Sequence, residues 1–248
     1  MIYFLIFVLG LIFGSFFNVC IYRIPKNESI LFPPSHCPNC GNRLKSIDLI
    51  PIFSFIFLRG KCRFCKGTIS VRYPLVELLT GLLFLILFYK FGYSKEFLKY
   101  IVLSSLLIII SFIDLEHKLI PNILIFSGII FSISYYALFG LDRLLDAFWG
   151  ATIGSGFILL IIIFTKGMGM GDFFLFLMIG SFLGLRLTLL TLFLSFLLGG
   201  IAGILLIILG LKSRRDYVPF APFISLATLL SILFGNDILR WYFWYIGF

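Results

Sequence analysis

The amino-acid sequence predicts an all-α polytopic membrane protein with about eight transmembrane helices and a small cytoplasmic domain similar to a zinc ribbon. Of its 248 residues, 61% are hydrophobic and only 12% are charged, whereas a soluble domain typically carries about 25% charged residues. A large core does not explain this deficit, because a folded chain still needs a solvated surface. Lipid must replace water over most of the surface, so the lipid bilayer is a predicted partner.

Eight apolar runs supply the predicted helices. A helix needs roughly 20 apolar residues to cross a bilayer, and the runs cover residues 2–20, 74–91, 98–113, 121–139, 144–164, 173–185, 187–210 and 218–234. The run at 173–185 is short for a span. The tail from Ile238 to Phe248 is rich in Trp and Tyr, so we predict that it is an interfacial aromatic anchor and not a ninth span.

The basic residues predict the orientation of these helices. The N-terminus has no positive segment and no small-residue cleavage site, so the first run is predicted to be a retained helix with its N-terminus outside. Alternation of sides then assigns 14 of the 20 Lys and Arg residues to the cytoplasmic side and 6 to the outer side, as the positive-inside rule expects. The cytoplasmic residues are Arg23, Lys26, Arg43, Lys45, Arg59, Lys61, Arg63, Lys66, Arg72, Lys118, Lys166, Lys212, Arg214 and Arg215.

The net charge of +9 does not indicate a nucleic-acid-binding protein. The basic residues lie between apolar runs and not along one solvated face, which is the pattern of topology signals. No nucleic-acid partner is therefore expected.

The sequence is predicted to divide into three regions. Residues 1–20 form the first transmembrane helix, residues 21–73 a cytoplasmic metal-binding domain, and residues 74–248 a seven-helix membrane domain. The middle region contains five prolines, so long helices are not expected there. About 50 residues are also too few to build a strong core without a cross-link.

Four cysteines supply such a cross-link. Cys37 with Cys40, and Cys62 with Cys65, form two CxxC pairs that are separated by 21 residues, close to the spacing of zinc ribbons. Two such turns complete a tetrahedral thiolate site, and four thiolates leave no open position, so the predicted Zn²⁺ is structural. The reducing cytoplasm disfavours disulfides. Two alternatives stay open: redox or unrelated CxxC pairs, and His36 as a substitute ligand.

Two acidic residues fall at the ends of apolar runs, where each needs an explanation. Asp114 ends the third run, and the helix macrodipole opposes an acid at a helix C-terminus. Asp172 opens the sixth run, where it could simply be an N-cap residue. Two predicted spans lie between these acids and carry the chain out and back. Both carboxylates are therefore expected at the cytoplasmic face.

Two neighbouring carboxylates permit the chemistry of an aspartic protease. Like charges that lie close together cannot both ionise cheaply, so the pair shares one proton. The ionised carboxylate takes a proton from water, and the protonated one polarises the scissile carbonyl. Glycines at 167, 169 and 171 leave a backbone strip without β-carbons, which an extended substrate could approach closely. The alternative interpretation of these glycines is a flexible loop.

Taken together, the motifs resemble those of the type IV prepilin peptidase family, which belongs to the GxGD membrane aspartic proteases. The resemblance covers essentially the whole chain, and single elements such as GxGD are weak, but their joint order is specific. The matching segments are Gly14 to Asn18, Tyr22 to Pro25, the two CxxC pairs, Asp48 to Pro51, Arg72 to Gly81, Asp114 to His117, Ile120 to Asn122 and Gly169 to Asp172.

The resemblance implies cleavage of a short basic leader peptide from prepilins or pseudopilins, after a glycine, at the cytoplasmic face of a bacterial inner membrane. It implies Asp114 and Asp172 as the catalytic acids. It also implies N-methylation of the new N-terminal residue with S-adenosylmethionine, for which Glu77 and Gly81 are the candidate residues. The retained cysteines favour this two-activity type over an enzyme that is only a peptidase.

One position departs from the family pattern. Many members have a lysine two residues after the GxGD aspartate, where this chain has Phe174. A cation at that position could stabilise the ionised carboxylate or contact the substrate. Its loss is therefore expected to affect how the charge of the acid pair is stabilised, but it does not remove a catalytic acid.

Two function classes compete with a peptidase. An ion-coupled transporter would also place carboxylates near the membrane, but both acids lie on one side and inverted repeats are not apparent. A non-catalytic scaffold could use the metal domain to hold a partner, but the acid pair would then have no role.

Overall fold

The computed structural model describes residues 1–165, 167–213 and 218–246, and the regular elements within these ranges are helical. Short 3₁₀ turns cover Ile24–Lys26, Ser46–Leu49 and Leu141–Arg143. The α-helices of these ranges are α1 (Ile2–Arg23), α2 (Phe53–Phe57), α3 (Arg72–Phe91), α4 (Lys95–His117), α5 (Asn122–Phe139), α6 (Leu144–Thr165), α7 (Met170–Leu183), α8 (Leu185–Ile208) and α9 (Ala221–Ile246).

In the described part of the chain, seven helices are long and apolar enough to cross a membrane, and α7 is a shorter apolar helix of 14 residues. These eight helices coincide one for one with the eight apolar runs, so the predicted all-α polytopic fold is confirmed. The aromatic tail is not a separate element, because α9 continues to Ile246; residues 247 and 248 lie outside the described residues. Lys166, Arg214 and Arg215, which entered the charge count, also lie outside them.

The first compact unit, Met1–Phe97, contains α1, α3 and the segment between them. Gly10 and Gly14, four residues apart on α1, allow its backbone to approach α3 closely. A β-carbon on Gly14 would lie 2.6 Å from Cα of Glu77, and one on Gly10 would lie 2.7 Å from Cα of Gly81. Small residues at this spacing are typical of tightly packed membrane helices. The prolines of the intervening segment limit it to short helical turns and α2.

The second compact unit, Leu98–Phe248, is arranged around α7. Helices α5, α6, α8 and α9 all contact α7, and its side chains Phe176 and Phe182 are fully buried. Gly150 of α6 and Gly180 of α7 meet backbone to backbone, which leaves no room for a β-carbon at either position.

The C-terminal end of α7 is stabilised by side chains of α5. Ser132 Oγ donates to the carbonyl of Ser181 over 2.6 Å, and the Tyr136 hydroxyl donates to the carbonyl of Phe182 over 2.9 Å. These bonds satisfy carbonyls that have no partner within the helix. Such bonds and the surrounding helices let a short helix lie inside the bundle, although 14 residues span only about 21 Å.

Candidate active site

Asp114 lies in the last full turn of α4, and only 2% of its surface is exposed. Its Oδ2 accepts a hydrogen bond of 3.1 Å from the backbone N–H of Ala221, the first residue of α9. The first N–H groups of a helix have no intrahelical acceptor and favour a negative partner. The beginning of α9 therefore holds the Asp114 carboxyl group in place.

Asp172 is the third residue of α7, and 4% of its surface is exposed. The N-cap residue of α7 is Gly169, so Asp172 is not the N-cap that the sequence suggested as an alternative. Asp172 stands at N3, and its Oδ2 accepts the backbone N–H of Gly169 over 3.3 Å, as the acid of a capping box does. Asp172 also interacts electrostatically with Asp114. Helices α5 and α6 carry the chain out and back between the two residues.

The two aspartates line one cavity of about 240 Å³. This volume is large enough for several water molecules, each of which occupies about 30 Å³ in the liquid. The structure thus brings together the two residues that were predicted to be catalytic. The complete lining is Asp114, Lys118, Leu119, Ile120, Asn122, Gly169, Met170, Gly171, Asp172 and Phe174.

The glycines before Asp172 differ in their surroundings. A β-carbon on Gly169 would have its nearest neighbours at 3.9 and 4.0 Å, so this backbone borders open space. A β-carbon on Gly171 would lie 3.1 Å from Cβ of Ile120. At Gly169 the cavity therefore borders backbone that no side chain covers. Gly171 instead allows the backbone to pack closely against Ile120.

Two groups at the site were not identified from the sequence as parts of it: Lys118 in the cavity lining and the Ala221 N–H that donates to Asp114. Lys118 is a cation in the lining of the cavity, and the backbone of this residue has φ of +55° while its N–H donates to the Asp114 carbonyl over 2.9 Å. Phe174 occupies the family's lysine position and packs its ring against Phe126 and Phe173. The N–H of Ala221 is a backbone group, so no side-chain motif in the sequence could indicate it.

The four cysteines that were predicted to bind Zn²⁺ meet in the first unit. Their sulfur atoms all lie within 4.8 Å of one another, and Sγ of Cys37 is 3.9 Å from Sγ of Cys65. A tetrahedron with Zn–S bonds of about 2.3 Å has sulfur–sulfur edges of about 3.8 Å, whereas a disulfide requires about 2.05 Å. The four sulfur atoms and their spacing therefore fit a metal ion that is bound tetrahedrally by four thiolates.

The two CxxC turns have the same backbone geometry. In each, the N–H four residues after the first cysteine donates to the carbonyl of that cysteine, from Gly41 to Cys37 over 2.9 Å and from Lys66 to Cys62 over 3.1 Å. Gly41 and Lys66 both have positive φ. The backbone N–H groups of Cys65 and Phe64 lower the pKa of the Cys62 thiol to about 7. The hydrogen bond from Gly67 lowers the pKa of the Cys65 thiol, but desolvation and the neighbouring thiols outweigh it and raise this pKa to about 11. The case for a metal therefore rests on the positions of the four sulfur atoms.

The two methyl-transfer candidates, Glu77 and Gly81, lie on α3 where it packs against α1. Gly81 faces Leu11 and Phe7, and a β-carbon there would lie 2.8 Å from Cδ2 of Leu11. The Glu77 carboxylate accepts the N–H of Ile52 over 2.8 Å. Both residues are engaged in packing or hydrogen bonds of the first unit, and their role in methyl transfer stays a prediction.

Comparison with known proteins identifies two family models that together cover most of the chain. The Bacterial Peptidase A24 N-terminal domain matches residues 8–91, and the Type IV leader peptidase family matches residues 101–204. The first match contains the four cysteines, and the second contains both aspartates. No solved structure matches the chain significantly.

Several curated proteins named prepilin leader peptidase/N-methyltransferase are similar over most of their length. The protein of Bacillus subtilis (strain 168) is 37% identical over 243 residues, which is 96% of each chain. The protein of Pseudomonas aeruginosa is 33% identical over 97% of this chain and 93% of its own. The protein of Myxococcus xanthus is 40% identical over 82% of this chain and 62% of its own. This chain therefore belongs to the type IV leader peptidase family.

Proposed function

We propose that the protein is a membrane aspartic endopeptidase that removes the leader peptide of type IV prepilins or pseudopilins. The observation that carries this proposal is the position of two buried carboxylates, Asp114 and Asp172, on one cavity large enough for water. Cleavage after a glycine, at the cytoplasmic face of a bacterial inner membrane, follows from the family resemblance. The names of the relatives support the substrate class.

The proposed reaction uses the two carboxyl groups as an acid and a base. Two carboxylates on one small cavity share a proton, because burial and mutual repulsion make a double negative charge costly. The ionised group removes a proton from water as the water attacks the scissile carbonyl, and the protonated group donates its proton to the carbonyl oxygen. The tetrahedral intermediate then collapses and the C–N bond breaks. The first group gives its proton to the leaving amine, and the second regains its proton from the hydroxyl that becomes the new carboxyl oxygen. The N–H of Ala221 and the N–H of Gly169 keep the two groups oriented throughout.

The substrate is proposed to lie along the open backbone at Gly169. An extended leader peptide can approach this residue closely because no side chain intervenes. The basic character of the leader is proposed from the family resemblance alone, because Lys118 in the cavity lining offsets the single negative charge of the acid pair.

The four cysteines are proposed to bind one structural Zn²⁺. The metal, when bound, supplies four bonds that cross-link a segment of about 50 residues with little core of its own. All four positions of the tetrahedron are taken by thiolates, so the chain offers no coordination site there for substrate or water.

A second activity, N-methylation of the new N-terminal residue with S-adenosylmethionine, is proposed from the names of the relatives. Glu77 and Gly81 are its candidate residues by resemblance. Gly81 is covered by α1 and the Glu77 carboxylate is bonded to Ile52, so these two residues do not by themselves form a cofactor site. No step of methyl transfer is derived from them.

One assay tests both activities. The purified protein is incubated with a prepilin and S-adenosylmethionine, and mass spectrometry identifies the new N-terminus of the product. Asp114→Asn and Asp172→Asn should each lower the cleavage rate by roughly 10²–10⁴, the range that general acid–base groups contribute.

Asp142→Asn is the matched control, because Asp142 is an exposed acid in the turn between α5 and α6. It should cleave at the normal rate. Cleavage retained by the double variant of Asp114 and Asp172 would rule out the aspartic mechanism. Cleavage without a methyl group on the product would instead identify an enzyme that is only a peptidase.

A further inference from the structure

The segment between the two CxxC turns exposes an unusual number of large apolar side chains. Phe57 is 83% exposed, and five other large apolar residues within the same eleven residues are also exposed: Ile47, Leu49, Ile50, Phe53 and Ile56. Three of these six residues, Phe53, Ile56 and Phe57, lie on α2 at spacings that place them on neighbouring positions of the helix. Contiguous exposed apolar surface of this kind marks a contact with another phase or partner.

A hydrogen bond fixes the depth of this segment relative to the membrane helices. The N–H of Ile52, the residue immediately before α2, donates to Oε2 of Glu77 over 2.8 Å. Glu77 is the sixth residue of α3, about 7 Å along that helix from Arg72. Because α3 is a candidate membrane span, this bond puts the beginning of α2 beside the first turns of that span, near its Arg72 end.

The backbone at this point is also conformationally constrained. Ile52 has φ of +61° and ψ of −51°, a region that a β-branched residue rarely adopts. The N–H of Phe53 donates to the carbonyl of Pro51 over 2.6 Å and closes a γ-turn of the rare type with positive φ. The bond to Glu77 holds this turn, so the direction in which α2 leaves it is fixed with respect to α3.

The charge of the surrounding region indicates that the exposed apolar side chains contact an anionic membrane surface. Residues 21–73 contain nine Lys and Arg residues and two acids, Glu28 and Asp48, which gives a net charge of +7. Asp48 is bonded to Arg63, with distances of 2.9 Å to Nε and 2.6 Å to Nη2. Four thiolates with one Zn²⁺ would remove two charges and leave +5. Apolar side chains beside an excess of basic residues are typical of segments that lie in an anionic membrane interface.

We propose that residues 47–57 form an interfacial docking segment that inserts its apolar side chains into the adjacent leaflet. Phe53, Ile56 and Phe57 enter the boundary between headgroups and acyl chains, and Arg59 at the end of α2 contacts anionic headgroups. Together with α1 and α3, the segment gives the cysteine-containing domain a third attachment to the bilayer. This proposal does not depend on the catalytic function.

Photo-crosslinking of the full-length protein tests the proposal. A benzophenone amino acid replaces Phe57, and the protein is reconstituted in nanodiscs of phosphatidylcholine and phosphatidylglycerol. Illumination should yield a peptide that carries a covalently attached lipid. The same replacement at Phe64, which is also exposed but lies inside the second CxxC turn, is the matched control and should give little lipid adduct.

A second variant tests the contribution of charge. Arg59 has φ of +50°, so Arg59→Asn removes its charge with a residue that tolerates this conformation. The lipid adduct at position 57 should fall about fivefold, the effect expected for one basic residue at an anionic surface. Arg43→Asn, which changes an exposed arginine three residues after Cys40, should leave the yield unchanged.

Three results would overturn the proposal. One is a crosslink from position 57 to a peptide of this chain or to another protein in place of lipid. Another is an equal lipid yield at positions 57 and 64. A third is an unchanged yield in nanodiscs of phosphatidylcholine alone, which would remove the role of anionic headgroups. Zinc content measured on each variant verifies that the domain is folded.

Discussion

Asp172 has a structural and a chemical role at the same time. One of its carboxylate oxygens accepts the N–H of Gly169 and caps α7, and the same carboxyl group lines the cavity shared with Asp114. A capping role, at N3 and not at the N-cap position that the sequence suggested, is therefore compatible with a catalytic role. A cap also fixes the orientation of the side chain, which is what a positioned acid or base requires.

The two glycines before Asp172 lead to a prediction that separates substrate binding from packing. Gly169→Ala adds a methyl group to open space in the cavity. Because that space is proposed to receive the substrate backbone, KM for a prepilin should rise about tenfold, the effect of one misplaced methyl group in a pocket. Gly171→Ala instead presses on Ile120 and should destabilise the protein by about 1 kcal/mol.

Steady-state cleavage kinetics and thermal unfolding in detergent distinguish the two variants. Gly169→Ala should keep the midpoint of unfolding of the wild type, and Gly171→Ala should lower it by about 2–4 °C. An unchanged KM for Gly169→Ala would show that the substrate does not use this strip of backbone.

Side-chain chemistry explains why the acids could be predicted and their partners could not. Asp114 and Asp172 lie at the ends of apolar runs, where an ionised side chain has a high free energy. An acid at such a position is therefore conspicuous in the sequence. Ala221 is 107 positions from Asp114 and contributes only its backbone N–H. Lys118 appeared in the charge count as a topology signal, and its place in the cavity depends on a left-handed backbone conformation after α4.

At the scale of elements, the cysteine-containing domain is predicted to depend on its metal. Cys37→Ser removes one of four thiolates that lie within 4.8 Å of one another. Bound zinc should fall from one ion per chain to near zero, and the segment between α1 and α3 should become sensitive to protease, since structural zinc contributes about 10 kcal/mol or more to such folds.

Cys20→Ser is the matched control, because Cys20 is buried in α1, away from the metal cluster. Metal analysis should still find one zinc per chain in this variant. Full zinc content in Cys37→Ser would point to another ligand, and His36 is the neighbouring residue that could replace the cysteine.

The turn between α7 and α8 provides a second prediction at this scale. Oδ1 of Asp146, in the first turn of α6, accepts the N–H of Leu185 at the beginning of α8 over 3.1 Å. Asp146→Ala should therefore destabilise the protein by about 1 kcal/mol, the usual effect of losing a helix cap. Thermal unfolding measures the change, and Asp142→Ala, at an exposed position four residues earlier, should have a smaller effect than Asp146→Ala.

The presence of each helix could be predicted from the sequence better than the packing of the helices around one another. Hydropathy located all eight apolar runs because each needs to match the bilayer or the bundle core. It did not show that α7 is enclosed by other helices, since periodicity does not distinguish a lipid-facing apolar residue from a protein-facing one. Gly150 and Gly180 determine that arrangement, and two glycines so far apart in sequence carry no visible pairing signal.

At the scale of the whole molecule, the number of membrane crossings determines the position of every later segment. Among the residues that the structure describes, seven helices have the length of a span, whereas α7 is shorter than the hydrocarbon core, which is about 30 Å thick. If α7 crosses together with the other seven, the number of crossings is even and both termini lie on the same side. If α7 does not cross, α8 and α9 are inverted and the C-terminus lies opposite the N-terminus.

We predict that α7 crosses and that both termini lie outside. This assignment keeps the excess of Lys and Arg inside, because the basic loop between α8 and α9 then lies in the cytoplasm. Alkaline phosphatase, which is active only outside the cytoplasm, is fused after Lys118, after Gly184 or after the last residue. The first fusion should be inactive and the other two active. An inactive fusion after Gly184 together with an inactive C-terminal fusion would show that α7 returns without crossing, and the predicted orientation of α8 and α9 would then be wrong.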